Sequence, residues 1–273
     1  MKPYLKRAWA EISLPALKNN INQIRRIISD NTEIMAVVKA DAYGHGEHNV
    51  CHCLWESGVR YFAVSNLDEA LAVRESCPDA EILILGYTPP EYGQALADNN
   101  IIQGIVSSEY AEELVKHTAK KIKCHVKIDT GMGRIGLKYD SPKECANEII
   151  RLSKLDKLDI DGIYTHFAVA DCNDEESIDF TDKQENFILD VNKYLIEMGL
   201  KLRHVHFANS AASCYRDSSK STLARTGIMY FYCQFIIIKL TFQAYFAFSS
   251  LISMDYTVCY RFRYSSFYIR DFF

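Results

Sequence analysis

EIMAVVKADAYGHG, residues 33–46, is the stretch on which the fold turns. Its first half, EIMAVVKA (33–40), is a mostly apolar run with no polar alternation, the pattern of a strand covered on both faces. Its second half ends in glycine-punctuated polar sequence, so a turn follows at the strand's C-terminal end. Upstream, Leu17, Ile21, Ile24 and Ile28 recur on one helical face. Downstream the trade of strand for helix continues: YFAV (61–64), a helix that Asn66 and Glu69 open like a capping box, ILILG (82–86), GIVS (104–107) and a helix from Ser108. KCHVKID (123–129), DGIYTHF (161–167), RHVHFA (203–208) and LARTGIMY (223–230) complete eight strands, with helices near 142–153 and 176–198 between them. Eight strands alternating with helices over this length predict an α/β fold of the TIM-type (β/α)8 barrel class, since closing a parallel sheet removes its edges. An open doubly wound sheet is the alternative. It would want a G-x-G-x-x-G turn after the first strand, which KADAYGHG is not.

The chain has 273 residues and a net charge of −4, so it shows no basic footprint for nucleic acid or an anionic membrane surface. Small molecules are the expected partners. Nine scattered cysteines, with Cys51 and Cys53 too close for a zinc or redox motif, point to a reduced, cytoplasmic compartment and to no metal site. MKPYLKRAWAEIS at the start lacks the apolar core of a signal peptide. From Phe231 the text changes: 15 of the last 43 residues are Phe or Tyr and the periodicity stops. The expected division is a barrel over 5–230 and an unrelated tail over 231–273. Residues 231–254 read poorly as a membrane span because Gln234, Lys239 and Gln243 interrupt them; a shifted or overrun coding frame explains such turn-free sequence better.

Lys39 stands at the C-terminal end of the first strand, where barrels of this class carry their reactive groups. A lysine after a strand is commonly just a surface residue. Here the apolar flank predicts burial, which would lower its pKa and free the amine for Schiff-base chemistry.

AVVKADAYGHG (36–46), KIDTGMGRIG (127–136), YTHFAVAD (164–171), HFANSAAS (206–213) and ARTGIMY (224–230) resemble, motif by motif and in order, the alanine racemases, over about residues 5–230. The resemblance implies an isomerase that uses pyridoxal 5'-phosphate to interconvert L-alanine and D-alanine, the latter for peptidoglycan. It implies that Lys39 carries the cofactor and serves as one of two proton-transferring bases. Tyr43, Ser210, Gly227 and Ile228 resemble the residues that hold the phosphate; His166 matches the imidazole against the ring, and Asn209 its neighbour. Each of these has a bland alternative, a helix cap or a satisfied strand-end histidine. Arg225 matches the arginine facing the pyridine nitrogen, where a guanidinium can only donate and so leaves the nitrogen unprotonated. Arg134 resembles the residue that bonds the cofactor's phenolic oxygen and helps place the substrate carboxylate. Lys127 matches a lysine often carbamylated in the family; an inward lysine paired with a carboxylate is the alternative.

A racemase needs an acid–base group on each face of the substrate. In the family the second is a tyrosine from a C-terminal β domain, delivered across a head-to-tail homodimer. The sequence after Phe231 matches no such domain, and none of Tyr232, Tyr245, Tyr256, Tyr260, Tyr264 or Tyr268 stands in a family motif. The expectation is therefore a racemase barrel with impaired activity and without much of the family's dimer interface. Two alternatives stay open: a barrel that binds pyridoxal phosphate without racemising, and the racemase part of a membrane-bound serine or alanine racemase.

Overall fold

A computed structural model describes residues 12–231. The expected tail over 231–273 lies outside the described residues except for Phe231, which is buried. Eight strands, β1 (Glu33–Val37), β2 (Tyr61–Val64), β3 (Glu81–Ile84), β4 (Ile101–Ile105), β5 (Ile122–Lys127), β6 (Leu158–Tyr164), β7 (His204–His206) and β8 (Leu223–Thr226), form one sheet. Every pairing in it is parallel, and the first strand lies between the second and the last, with Met35 opposite both Tyr61 and Arg225. The seam between β7 and β8 closes more sparsely, through Thr222 N–H to Val205 O at 2.9 Å and Arg225 N–H to Ala208 O at 2.9 Å. The result is a (β/α)8 barrel.

Helix α1 (Leu14–Ile27) precedes the first strand and buries Leu17, Ile21 and Ile24; Ser13 caps it, accepting from Ala16 N. Behind the strands run α2 (Glu47–Glu56), α3 (Leu67–Ser76), α4 (Gly93–Asp98), α5 (Ser108–Leu114), α6 (Pro142–Leu152), α7 (Glu175–Glu197) and α8 (Ser210–Tyr215). The outward residues of the strands and the inner faces of these helices make one large apolar core. At the start of α3 only half of the expected capping box forms. Asn66 Oδ1 accepts from Glu69 N, but the Glu69 carboxylate bonds Ser65 N and, across to the first βα loop, Ala40 N at 2.9 Å.

The interior of the barrel is divided. Met35, Val37, Tyr61, Ala63, Leu83, Ile102 and Leu223 fill one half with apolar side chains. The other half takes polar residues from β5 to β8: His125, Lys127, Tyr164, His204, His206 and Arg225, all buried. Strand alternation produces this division, because Cys124, Val126 and Val205 point out to the helices while their neighbours point in. Buried polar groups must find partners, so this half of the interior is specified by hydrogen bonds as much as by packing.

Candidate active site

The strand expected to run to Ala40 ends at Val37. Beyond it Ala40, Asp41, Ala42 and Tyr43 all take left-handed φ values between 51° and 57°. Such residues without glycine cost about 1–2 kcal/mol each, so the surroundings must hold them. They do: Ala42 N donates to Val38 O, Glu69 takes Ala40 N, and Asp41 Oδ1 takes Glu47 N at 2.7 Å. Because of this turn Lys39 is exposed rather than buried, contrary to the expectation from its apolar flank. It stands past the strand, at the wall of a cavity of about 570 Å³.

All ten residues singled out in the sequence line that cavity: Lys39, Tyr43, Lys127, Arg134, His166, Asn209, Ser210, Arg225, Gly227 and Ile228. It opens at the C-terminal ends of the strands, and Ser65, Leu85, Met132 and Tyr164 also line it. Arg134 is carried by the loop after β5. Asp129 accepts from Gly131 N at 3.1 Å and Gly133 N at 3.0 Å, and Leu137 N returns to Lys127 O at 2.8 Å. Gly136 must be glycine there, with φ at 122° and a Cβ that would lie 2.9 Å from Lys127 O.

Opposite, α8 begins where Asn209 caps it, taking Ala212 N and donating to Phe167 O. Ser210 Oγ accepts from Gly227 N at 3.1 Å, tying the loops after β7 and β8 together. A Cβ on Gly227 would overlap Tyr43 Oη and approach Val37 Cβ to 3.0 Å, so glycine lets the phenol close over this corner.

Arg225 is buried, and its donors are spent in an ordered way. Nη1 donates toward His206 Nδ1 at 2.9 Å and His206 O at 3.0 Å; Nη2 donates to Thr165 O at 2.5 Å and Phe207 O at 3.4 Å. Nε–H makes no hydrogen bond to the protein among the described residues, and Arg225 lines the cavity. Burial lowers the Arg225 pKa to about 10, so it stays a cation at neutral pH. His166 is the reverse case. Burial first, then the charges of Arg225 and Lys127, push its pKa down to about 3, and it is a neutral ring in the cavity wall. Lys127 is buried, with Nζ donating to Ile128 O at 2.9 Å; burial and the Arg225 charge lower its pKa to about 7. Its side chain makes no ion pair with a carboxylate among the described residues.

Residues 12–234 match the alanine racemase N-terminal domain. The chain belongs to the alanine racemase family. It is 38% identical over 228 residues to an alanine racemase of Carboxydothermus hydrogenoformans, covering 82% of this chain and 60% of that protein. An alanine racemase of Clostridium tetani is 42% identical over 215 residues, 78% of this chain and 54% of its own length. Among solved structures, the alanine racemase of Clostridium difficile 630 superposes with a TM-score of 0.76 at 36% identity, covering 84% of this chain and 59% of that one. The histidine racemase of Leuconostoc mesenteroides does so at 0.73 and 29% identity, with coverage of 84% and 60%. The chain thus spans just over half the length of the family members it matches.

Two features of this barrel were missed in the sequence. Tyr164 and the histidines His125 and His206 read there as ordinary strand residues. The signal was the alternation in KCHVK and HVH, which puts Lys127 with His125, and His206 with His204, on the same strand face. Gln184, deep in α7, was also missed. Its Nε2 reaches Thr130 Oγ1 at 3.0 Å and its Oε1 takes Ala168 N at 3.0 Å, joining the loops that follow β5 and β6.

Among the described residues no helix is long and apolar enough to cross a membrane. The stretch 231–254, considered as a span, lies outside them apart from Phe231.

Proposed function

We propose that this barrel binds pyridoxal 5'-phosphate and uses it to interconvert the enantiomers of a small amino acid, alanine by the names of its relatives. The observation that carries the reading is the convergence of one accessible amine, Lys39, with a buried cation whose Nε–H is uncommitted, Arg225, on a single cavity. The donor set fits the cofactor. Tyr43, Ser210 and the Gly227–Ile228 backbone make a corner of hydroxyl and amide groups suited to a phosphate, with Gly227 leaving room for the Tyr43 hydroxyl to reach it. His166, neutral, can lie against a ring without adding charge, and Asn209 secures the loop beside it. When bound, the cofactor would draw electrons from the substrate's Cα and so acidify its proton.

The chain's own residues would do the rest. Lys39 would hold the cofactor and then move a proton at Cα on one face. Arg225, always a donor, would keep the ring nitrogen unprotonated, which restrains electron withdrawal and favours quick return of the proton over side reactions. Arg134 would donate to the phenolic oxygen and place the substrate carboxylate. Lys127, largely neutral above its lowered pKa, is suited to react with carbon dioxide to a carbamate, an anionic partner for Arg134. The opposite face of Cα needs a second acid–base group, and we assign none of residues 12–231 to it. D-alanine supply for peptidoglycan and pairing with a second copy of the chain follow the family and belong to this same proposal.

Borohydride reduction of the chain saturated with pyridoxal phosphate, followed by peptide mapping, tests the reading. The label should sit on Lys39. Recovery on another lysine would overturn the assignment.

A further inference from the structure

We propose that His206 and His125 act as a neutral imidazole pair, each locked in a single tautomer, that positions Arg225 for the cofactor ring. This rests on the reading that Arg225 faces the ring nitrogen. The geometry leaves no second arrangement of protons. Arg225 Nη1 can only donate, so His206 Nδ1, 2.9 Å away, must present its lone pair. A neutral His206 then carries its hydrogen on Nε2, and Nε2 is 2.9 Å from His125 Nδ1. His125 accepts there, and its own hydrogen is left on Nε2. Reversing the His125–His206 bond would require both His206 nitrogens to accept, an imidazolate. Protonating His206 on Nδ1 would set an N–H against the Arg225 N–H. Both rings are fully buried, which opposes a charge on either.

The pair is built in as tightly as the site it serves. Tyr164 stacks on His206 with ring centroids 5.1 Å apart and planes 10° from parallel, and its hydroxyl is fixed on Leu85 O at 2.9 Å. Gly104 makes room for that hydroxyl, and Gly162 for His125: a Cβ on either would come within 2.9 Å of the ring or hydroxyl beside it. The choice of imidazole has a consequence. A carboxylate at position 206 would grip the guanidinium more strongly but neutralise it. A neutral nitrogen orients Arg225 and leaves its charge undiminished toward the cavity, with three carbonyl oxygens sharing the remaining bonds. His125 contributes by accepting the His206 hydrogen, which stops the ring from turning over and offering N–H to Arg225.

The test reads protons before activity. In the 15N-histidine-labelled, cofactor-loaded protein, long-range 1H–15N spectra should show both rings neutral with the hydrogen on Nε2, assigned by loss of signals in His125→Asn and His206→Asn. An Nδ1–H or imidazolium form of either ring at pH 7 would overturn the proposal. The visible absorption of the bound cofactor should shift in His125→Leu, which strands the His206 hydrogen. It should return in His125→Asn, whose side-chain oxygen can accept at the Nδ1 position. If Arg225→Lys moves the absorption while His125→Leu does not, the pair does not position Arg225. If Arg225→Lys moves nothing with cofactor still bound, the placement of Arg225 at the ring fails, and the role given to the pair falls with it.

Discussion

Gly227 shows how a site of this kind depends on what a residue lacks. Space selects glycine there, since a Cβ would overlap Tyr43 Oη and come within 3.0 Å of Val37 Cβ. Gly227→Ala would push Tyr43 Oη and Val37 apart, and overpacking of this order costs about 1–3 kcal/mol. Most of that would fall on the corner assigned to the phosphate. Titration of cofactor absorbance should show affinity reduced about 10- to 100-fold, with circular dichroism little changed. Unaltered affinity would remove Gly227 and Tyr43 from the phosphate corner. At this scale the sequence was informative where a residue sits in a recognisable motif: each of the ten cavity residues did, and each lines the cavity. It was uninformative where the chemistry comes from a neighbour. Lys39 looked buried from its apolar flank, but the left-handed turn that lifts it out is held by Glu69, thirty positions on. His125 and His206 become a pair only when β5 and β7 face each other across the barrel interior.

The elements follow the same division. Strands β1, β2 and β3 begin within one residue of where the apolar runs place them, because a run covered on both faces has few other readings. Strands β4 and β6 begin at Ile101 and Leu158, three residues before the expected 104 and 161, since Asp159 and the asparagines before Ile101 look like loop while the neighbouring strand supplies the pairing. The left-handed turn after β1 is the element least visible beforehand, for nothing in ADAY demands positive φ. Tertiary bonds impose it, so removing one should loosen it selectively. In Glu69→Ala, Ala40 N, Ser65 N and Ser65 Oγ lose their acceptor. A lost bond of this type is worth about 1–3 kcal/mol. Hydrogen exchange should quicken across residues 39–44 by about tenfold or more, while β1 keeps its protection. Equal protection in both forms would show that the turn is stable without Glu69.

The whole molecule should be sensitive to mild acid, and the reason lies in where its histidines are. Burial holds His125 and His206 far below the ordinary imidazole pKa, His204 at about 4 and His166 at about 3, and lowers His45 as well. A histidine whose folded pKa is depressed binds fewer protons when folded than when unfolded. Its stabilisation is fully present above pH 6.5 and is lost as pH falls from there toward the folded value. Each contributes a slope of up to about 1.4 kcal/mol per pH unit inside that window. Glu47 and Asp161, whose carboxyls burial raises, work in the opposite direction, but two groups oppose five. Lys127, lowered to about 7, adds the same sign at higher pH: stability should still rise between pH 7 and 8. Urea unfolding of the full chain should therefore give free energies that drop steeply from pH 6.5 to 4.5. His204 is a useful probe because it lies at the far end of the polar interior from the cavity, edge-on to Tyr61 and 3.4 Å from Thr222 Oγ1. His204→Gln keeps a polar side chain and removes the titration, so the slope over that interval should shrink by about one histidine's share, up to 1.4 kcal/mol per pH unit. A flat profile, or one that His204→Gln leaves unchanged, would mean that the buried imidazoles are charged in the folded barrel or reach water as it opens locally.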